Sequence, residues 1–94
     1  MQVVWSARGR RDLQAIQAFI ALDNPAAADR VESALVELTR TLGRHPHIGH
    51  RRSPRLREVV ERRYRYVVRY GFRPNETAPE AIVILSIWHP KQAR

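Results

Sequence analysis

The chain has 94 residues, of which 44% are hydrophobic and 28% charged, and its formal net charge is +8. This size and composition predict one folded domain spanning residues 1–94 and argue against disorder. The absence of cysteine excludes thiol chemistry. No apolar run approaches the roughly 20 residues of a membrane span, and the N-terminus lacks a secretion signal, so we expect a cytoplasmic protein with no membrane partner.

The first elements predicted are a short strand and a helix. Residues 2–5 are apolar and predict a strand, and Ser6 stands where a helix N-cap is expected. The first helix is predicted from Ala7 to Leu22. Its apolar stripe, at the three-and-four spacing of a helix face, comprises Leu13, Ile16, Phe19 and Ile20.

A second helix follows with almost no connection. Asn24 can cap it and Pro25 suits its first turn, so the two helices are expected to form an antiparallel hairpin. The helix is predicted to run to Leu42, with Gly43 as a left-handed C-terminal residue. Its apolar stripe comprises Ala27, Val31, Leu35, Leu38 and Leu42.

The C-terminal half predicts β structure. Residues 44–54 contain two prolines and no periodicity, which predicts a loop, and strands are expected at 55–60, 64–72 and 81–88. The last of these is apolar on both faces and should be central in the sheet. We therefore predict an α+β fold: a short strand, an antiparallel two-helix hairpin, then a three-stranded antiparallel meander, with the helices packed on one sheet face.

The net positive charge is confined to one stretch. Residues 44–73 hold ten arginines against Glu58 and Glu61, which leaves +8 there, whereas residues 1–43 and 74–94 each sum to zero. Such a distribution predicts an electropositive surface directed at phosphates or carboxylates. Alternation over 64–72 places tyrosines on the buried face and arginines on the open one.

The candidate target-binding or anion-binding residues lie on that open face and at the end of the last strand: Arg57, Arg65, Arg69, His89 and Lys91. Guanidinium groups could stabilise phosphoryl charge, and a strand-end imidazole could transfer protons. The alternative interpretation is an ordinary solvated sheet face, because antiparallel sheets commonly carry charge opposite their apolar side.

Three histidines are candidate ligands of a metal ion: His45, His47 and His50. No acidic residue or cysteine lies near them in sequence, and the neighbouring arginines would repel a cation. We expect neither a metal nor a cofactor.

The pattern resembles the RelE/ParE superfamily of type II toxins, on its ParE side, over nearly the whole chain. The matching positions, in order, are Trp5-Ser6, Asp12-Leu13, Ile16, Asp23 to Ala28, Pro46, Gly49, Leu56-Arg57-Glu58, Tyr64 to Tyr70 and His89. The resemblance implies a toxin neutralised by a cognate, ParD-like antitoxin, which would contact operator DNA through its own DNA-binding head. ParE-like members are described as DNA gyrase inhibitors, and RelE-like members cleave mRNA on the ribosome.

The residues favour the gyrase target, which would make the protein a non-enzyme. Arg65 matches an arginine of the nucleases and His89 falls where some of them place a catalytic histidine, but no acidic residue or lysine pair stands where their base lies. His50 or Glu58 remain possible substitute bases. The alternatives are therefore a ribosome-dependent endoribonuclease, with Arg65 and His89 as catalytic candidates, and a non-toxic basic nucleic-acid-binding module.

The charge also predicts how the antitoxin binds. A groove between the helix hairpin and a sheet edge should accept an acidic, amphipathic segment that orders on contact.

Overall fold

The computed structural model describes residues 1–91. Two helices and five strands occur in this order: β1 (Gln2–Trp5), α1 (Ala7–Ala21), α2 (Pro25–Arg44), β2 (His50–Ser53), β3 (Leu56–Val60), β4 (Val67–Arg73) and β5 (Ala81–Trp88). Within that described part, neither helix is long and apolar enough to cross a bilayer.

The strands form one mixed sheet of order β1-β5-β4-β3-β2. β1 pairs in parallel with β5, and every later pair is antiparallel. β5 is therefore an interior strand with a partner on each side, as its two apolar faces predict. The α+β class, with a helix hairpin on one sheet face, is confirmed. The meander, however, has four strands, because β2 forms within residues predicted as loop.

β2 was not predicted because it is an edge strand whose sequence does not alternate between apolar and polar residues. Its residues are exposed apart from the partly buried Ser53, and they are held by backbone pairing of His50 with Glu58 and of Arg51 with Arg57. An edge strand pairs along one side only, and neither face of β2 is buried. Its sequence therefore shows no alternation of apolar and polar residues.

The two predicted helix caps are confirmed. Ser6 Oγ accepts a hydrogen bond of 2.9 Å from the Gly9 amide, and Asn24 Oδ1 accepts one of 3.0 Å from the Ala27 amide. Each cap satisfies an amide that lacks a partner inside the helix, which typically stabilises a helix by about 1 kcal/mol. The caps thereby fix where the hairpin begins and turns.

The core lies between the hairpin and one face of the sheet. It joins the buried helix residues Ile16, Val31, Leu35 and Leu42 to the buried strand residues Val68, Tyr70, Ile82, Ile84 and Ile87. Full burial of such an aliphatic side chain stabilises the fold by about 1.5–3 kcal/mol. The opposite face of β3 and β4 is left without a helical cover.

Two details of the helices differ from prediction. Phe19 is 74% exposed, because successive helix residues turn by about 100° and only the narrower stripe around Ile16 and Ile20 reaches the core. α2 continues to Arg44, and Gly43 does not adopt the left-handed conformation. Gly43 instead lies against the N-terminus, where a Cβ atom would come within 2.9 Å of the Met1 carbonyl oxygen.

Candidate target-binding face

The uncovered sheet surface is defined by strand register. Arg69 on β4 pairs with Glu58 on β3, and Val67 pairs with Trp88 on β5, so these residues project to the same side. Their β4 neighbours, Val68 and Tyr70, are fully buried on the helix side. We call the surface formed by Glu58, Val67, Arg69 and Trp88 the open face.

A carboxylate flanked by two arginines occupies the middle of the open face. Arg69 donates to Glu58 Oε2 from Nε at 2.9 Å, while Arg52 donates to Oε1 from Nε at 3.0 Å. The Arg69 guanidinium carbon also lies 4.9 Å from the centroid of the Trp88 ring, within the range of a cation–π contact. We call Arg52, Glu58 and Arg69 the open-face triad, which carries one net positive charge.

The triad makes Glu58 a poor proton acceptor. Burial raises the pKa of this carboxyl, but the hydrogen bonds and charges of Arg69 and Arg52 outweigh burial and leave the pKa below its ordinary value. Both oxygens already accept guanidinium hydrogen bonds. A carboxylate with a lowered pKa and occupied oxygens is a weak general base, so Glu58 does not suit the role of substitute nuclease base.

Arg57 does not belong to the open face, which corrects the prediction. Register pairs it with Tyr70, so it projects to the helix side of the sheet, beyond the end of the helical cover. Its side chain is 16% exposed, and its Nε atom lies 2.6 Å from Glu76 Oε1. Nη1 donates to the carbonyl oxygens of His47 and Gly49. Arg57 therefore ties the loop before β2 to the β4–β5 connection.

Arg65 was predicted on the strand but lies in the turn between β3 and β4. Its φ of 71° is the single left-handed value among non-glycine residues of the described chain. The turn is closed by Glu61, whose carbonyl accepts from the Arg65 amide at 2.8 Å and whose carboxylate accepts from the Arg63 and Tyr64 amides. The strand alternation begins only at Val67 because these local hydrogen bonds replace sheet pairing before it.

His89 follows β5 directly, as predicted. Its ring contacts Tyr66 edge-on, with centroids 5.3 Å apart, and its Nδ1 accepts a hydrogen bond from the Lys91 amide. Burial raises the pKa of the Tyr66 hydroxyl. Lys91 is exposed, in the turn that follows the strand. His89 and Tyr66 therefore form an aromatic contact at the end of the sheet where Trp88 terminates β5.

The loop histidines do not form a metal cluster. His47 stacks on Phe72 with ring centroids 5.5 Å apart, and its Nε2 lies 3.8 Å from Glu76 Oε1. His50 belongs to β2 and is exposed. Residues 1–91 contain no group of three histidines or carboxylates placed to hold a metal ion.

Sequence reasoning missed the open-face triad and the place of Trp88 beside it. The signal was present in β3, where Glu58 is the one acidic residue of the strand and lies opposite Arg69 once the register is known. The register of β3 with β4 depends on the length of the turn between them. Because residues 64–66 were predicted as strand and belong to the turn, the sequence did not give this register.

Comparisons with known proteins identify a family, a relative and a shared fold. The model of the ParE toxin of type II toxin–antitoxin systems, parDE, matches residues 3–94. The chain is 30% identical over 89 residues to Toxin RelE3 of Caulobacter vibrioides, covering 93% of this chain and 91% of that protein. A solved structure titled as a chromosomal ParDE TA system from P. aeruginosa shares the fold, with a TM-score of 0.76, 22% identity and 95% coverage of both chains. The chain therefore belongs to the ParE toxin family of type II toxin–antitoxin systems.

Proposed function

We propose that this toxin inhibits DNA gyrase by binding it through the open face, and that an acidic, ParD-like antitoxin neutralises it. The observation that carries the proposal is the open-face triad. Its arginines hold Glu58 ionised and hydrogen-bonded, an arrangement suited to binding and not to proton abstraction. Trp88 and Arg69 supply an aromatic ring beside a cation, a combination enriched among residues that dominate binding energy at protein interfaces.

The antitoxin would bind on the other side of the molecule. β1 pairs with β5 along one edge, and its second edge has no strand partner among residues 1–91. Beside that edge lies a groove of about 580 Å³. The groove is lined by Gln2, Val3, Val4, Trp5, Arg10, Leu13, Gln14, Glu32 and Val36. An extended antitoxin segment could add to the β1 edge while an amphipathic helix fills the groove. Operator DNA would be contacted by the antitoxin alone.

A supercoiling assay tests the gyrase target. Purified toxin added to gyrase and relaxed plasmid should block supercoiling, while translation of a reporter mRNA in the same concentration range continues. Arg69→Ala should raise the half-inhibitory concentration about tenfold or more, as loss of a central interface arginine does. Arg30→Ala is the matched control, because it removes the same charge from an exposed position on α2. Unimpaired supercoiling at any toxin concentration would refute the gyrase proposal.

The antitoxin proposal is tested separately by association kinetics. Toxin and antitoxin should associate with a nanomolar-class dissociation constant, and the association rate should fall as salt rises, because a chain of net charge +8 attracts an acidic partner. An association rate independent of salt would contradict the electrostatic part of the proposal.

A second candidate function is ribosome-dependent mRNA cleavage. The contact between Tyr66 and His89 supports it, because this pair places an imidazole and a phenol at one end of the sheet. In that case ribosome-bound mRNA would be cut within codons, and Arg65→Ala or His89→Ala would abolish cutting while leaving the fold intact. Intact mRNA at toxin concentrations that arrest growth would exclude this candidate.

A further inference from the structure

The outer face of α1 and the C-cap residue that follows it carry two large apolar side chains that the fold does not cover. Phe19 is 74% exposed and Leu22 is 81% exposed, one helical turn apart near the tip of the hairpin. The groove beside β1 is lined from α1 by Arg10, Leu13 and Gln14, so it does not include them. Burial of a phenylalanine and a leucine against a partner would be favourable, and their exposure in a folded chain marks an interaction surface.

The spacing along this face is that of a helix–helix seam. Arg11, Ala15, Ala18 and Leu22 follow one another at intervals of four, three and four residues, and all of them are exposed. This interval places side chains on one stripe that faces a partner helix. Alanine side chains are short, so the helix surface is lower at Ala15 and Ala18 than at the exposed Phe19. A surface with both a projection and a recess can fit a second copy of itself.

Charge at the two ends of the seam identifies the occupant. The N-terminal end carries Arg11, where the helix dipole disfavours cations, and the C-terminal end carries Asp23. Within residues 1–91 neither Arg11 nor Asp23 forms an ion pair. In an antiparallel pair of α1 helices, each Arg11 faces the other copy's Asp23, and each Ala15 faces the other copy's Phe19.

Long-range charge favours the same occupant. Residues 1–43 have no net charge, whereas residues 44–73 carry +8. Two copies that meet through α1 therefore bring neutral segments together and keep the basic sheets apart, which limits repulsion.

The geometry points to a self-association surface: Arg11, Ala15, Ala18, Phe19 and Leu22 pack antiparallel against α1 of a second copy of this chain. The seam from Arg11 to Leu22 is only about 16 Å long at 1.5 Å per residue. A contact of this length buries less than a standard interface of roughly 1,600 Å², so the dimer is weak and reversible. Toxin molecules would pair at high concentration and separate on dilution.

Sedimentation velocity of the purified chain, free of antitoxin, tests the proposal between about 1 and 500 µM, a range that brackets a weak dimer. We expect a shift from monomer to dimer across this range. The double substitution of Phe19 and Leu22 by serine should weaken association by tenfold or more, with an unchanged circular dichroism spectrum, because both side chains are exposed. A monomer throughout, or a dimer that survives this double substitution, would overturn the proposal.

Charge reversal makes the test specific for antiparallel pairing. Arg11→Asp places two acids together at both ends of a homodimer, and Asp23→Arg places two arginines together, so each variant alone should be monomeric. Their equimolar mixture restores an opposite pair at both ends and should associate as the unmodified chain does. Arg10→Asp and Asp29→Arg are matched controls off the seam and should still dimerise. A mixture that stays monomeric would refute the antiparallel register.

Discussion

The Nε atom of Arg57 lies 2.6 Å from Oε1 of Glu76, a residue nineteen positions further along the chain. The same guanidinium donates to the Gly49 carbonyl oxygen at 2.9 Å. Arg57 thereby connects three segments that share no strand pairing: the loop before β2, β3 itself and the β4–β5 connection. A residue predicted to bind the target acts in the structure as an internal crosslink.

Substitution of Arg57 by alanine should be costly. It leaves Glu76, with 17% of its side chain exposed, without its closest cation and removes donors to two carbonyl oxygens. We expect the free energy of unfolding in urea to fall by about 2–3 kcal/mol, between the costs of breaking an exposed and a buried ion pair. Arg51→Ala, which removes the 57% exposed partner of the same carboxylate, should cost less than about 1 kcal/mol. Equal losses of stability in the Arg57→Ala and Arg51→Ala variants would contradict the role of Arg57 as a crosslink.

The acid stability of the fold depends on two carboxyl groups. Arg57 lowers the pKa of Glu76, chiefly through its hydrogen bond, and Arg69 and Arg52 lower that of Glu58 against the effect of burial. Lowered folded-state values stabilise the protein above the ordinary value of 4.5, and this stabilisation is lost as the pH falls through 4.5 toward the folded-state values. The urea midpoint should therefore decrease from about pH 6 to about pH 3.

Replacement of both carboxyl groups provides the control. In a variant with Glu58→Gln and Glu76→Gln, stability at neutral pH should be lower and its decline with acid shallower. A parallel decline in the variant and the unmodified chain would assign the acid sensitivity to other groups.

The fold was largely predictable because its signals are local. Ser6 and Asn24 indicate where both helices start, and the apolar run at 81–88 identifies an interior strand of the sheet. The site was less predictable because it depends on register. The turn that contains the left-handed Arg65 makes β4 start later than predicted, at Val67. In the resulting register Arg69 lies opposite Glu58, and Arg57 projects to the other side of the sheet. Hydrophobic alternation identifies the buried face of a strand but not its partners.

The buried hydroxyl of Tyr70 offers a separate test. It donates to the Pro46 carbonyl oxygen at 2.7 Å and accepts from the Gly49 amide at 3.0 Å, while burial raises its pKa. Tyr70→Phe keeps the ring but leaves both backbone groups without this partner, at a cost of about 1–3 kcal/mol in urea unfolding. Tyr64→Phe removes a hydroxyl from a partly buried ring and should change stability by less than about 0.5 kcal/mol. Similar effects of the two changes would refute this assignment.

Gly49 should tolerate no side chain. A Cβ atom built there would lie 2.6 Å from the Tyr70 hydroxyl oxygen, closer than real Cβ contacts allow. Gly49→Ala must therefore displace the tyrosine or the loop, and we expect a loss of about 1–3 kcal/mol, as for other overpacked sites. Tyr70 is fully buried in the core, so we expect the loop to move, and hydrogen exchange of the Gly49 region should accelerate more than that of β5. Uniform exchange would indicate a general loss of stability instead.

Neutralisation of Glu58 separates a binding face from a catalytic one. Glu58→Gln keeps an oxygen that can accept from Arg69 or Arg52 but raises the net charge of the open-face triad from +1 to +2. If the open face binds an acidic region of gyrase, the variant should associate faster at low salt and inhibit supercoiling at a lower concentration, with the gain disappearing as salt screens the charge. If Glu58 were the base of a nuclease, the same change would abolish activity at every salt concentration. Supercoiling and mRNA-cleavage assays on one preparation therefore distinguish the two functions. Circular dichroism spectra that match those of the unmodified chain would show that the fold is retained.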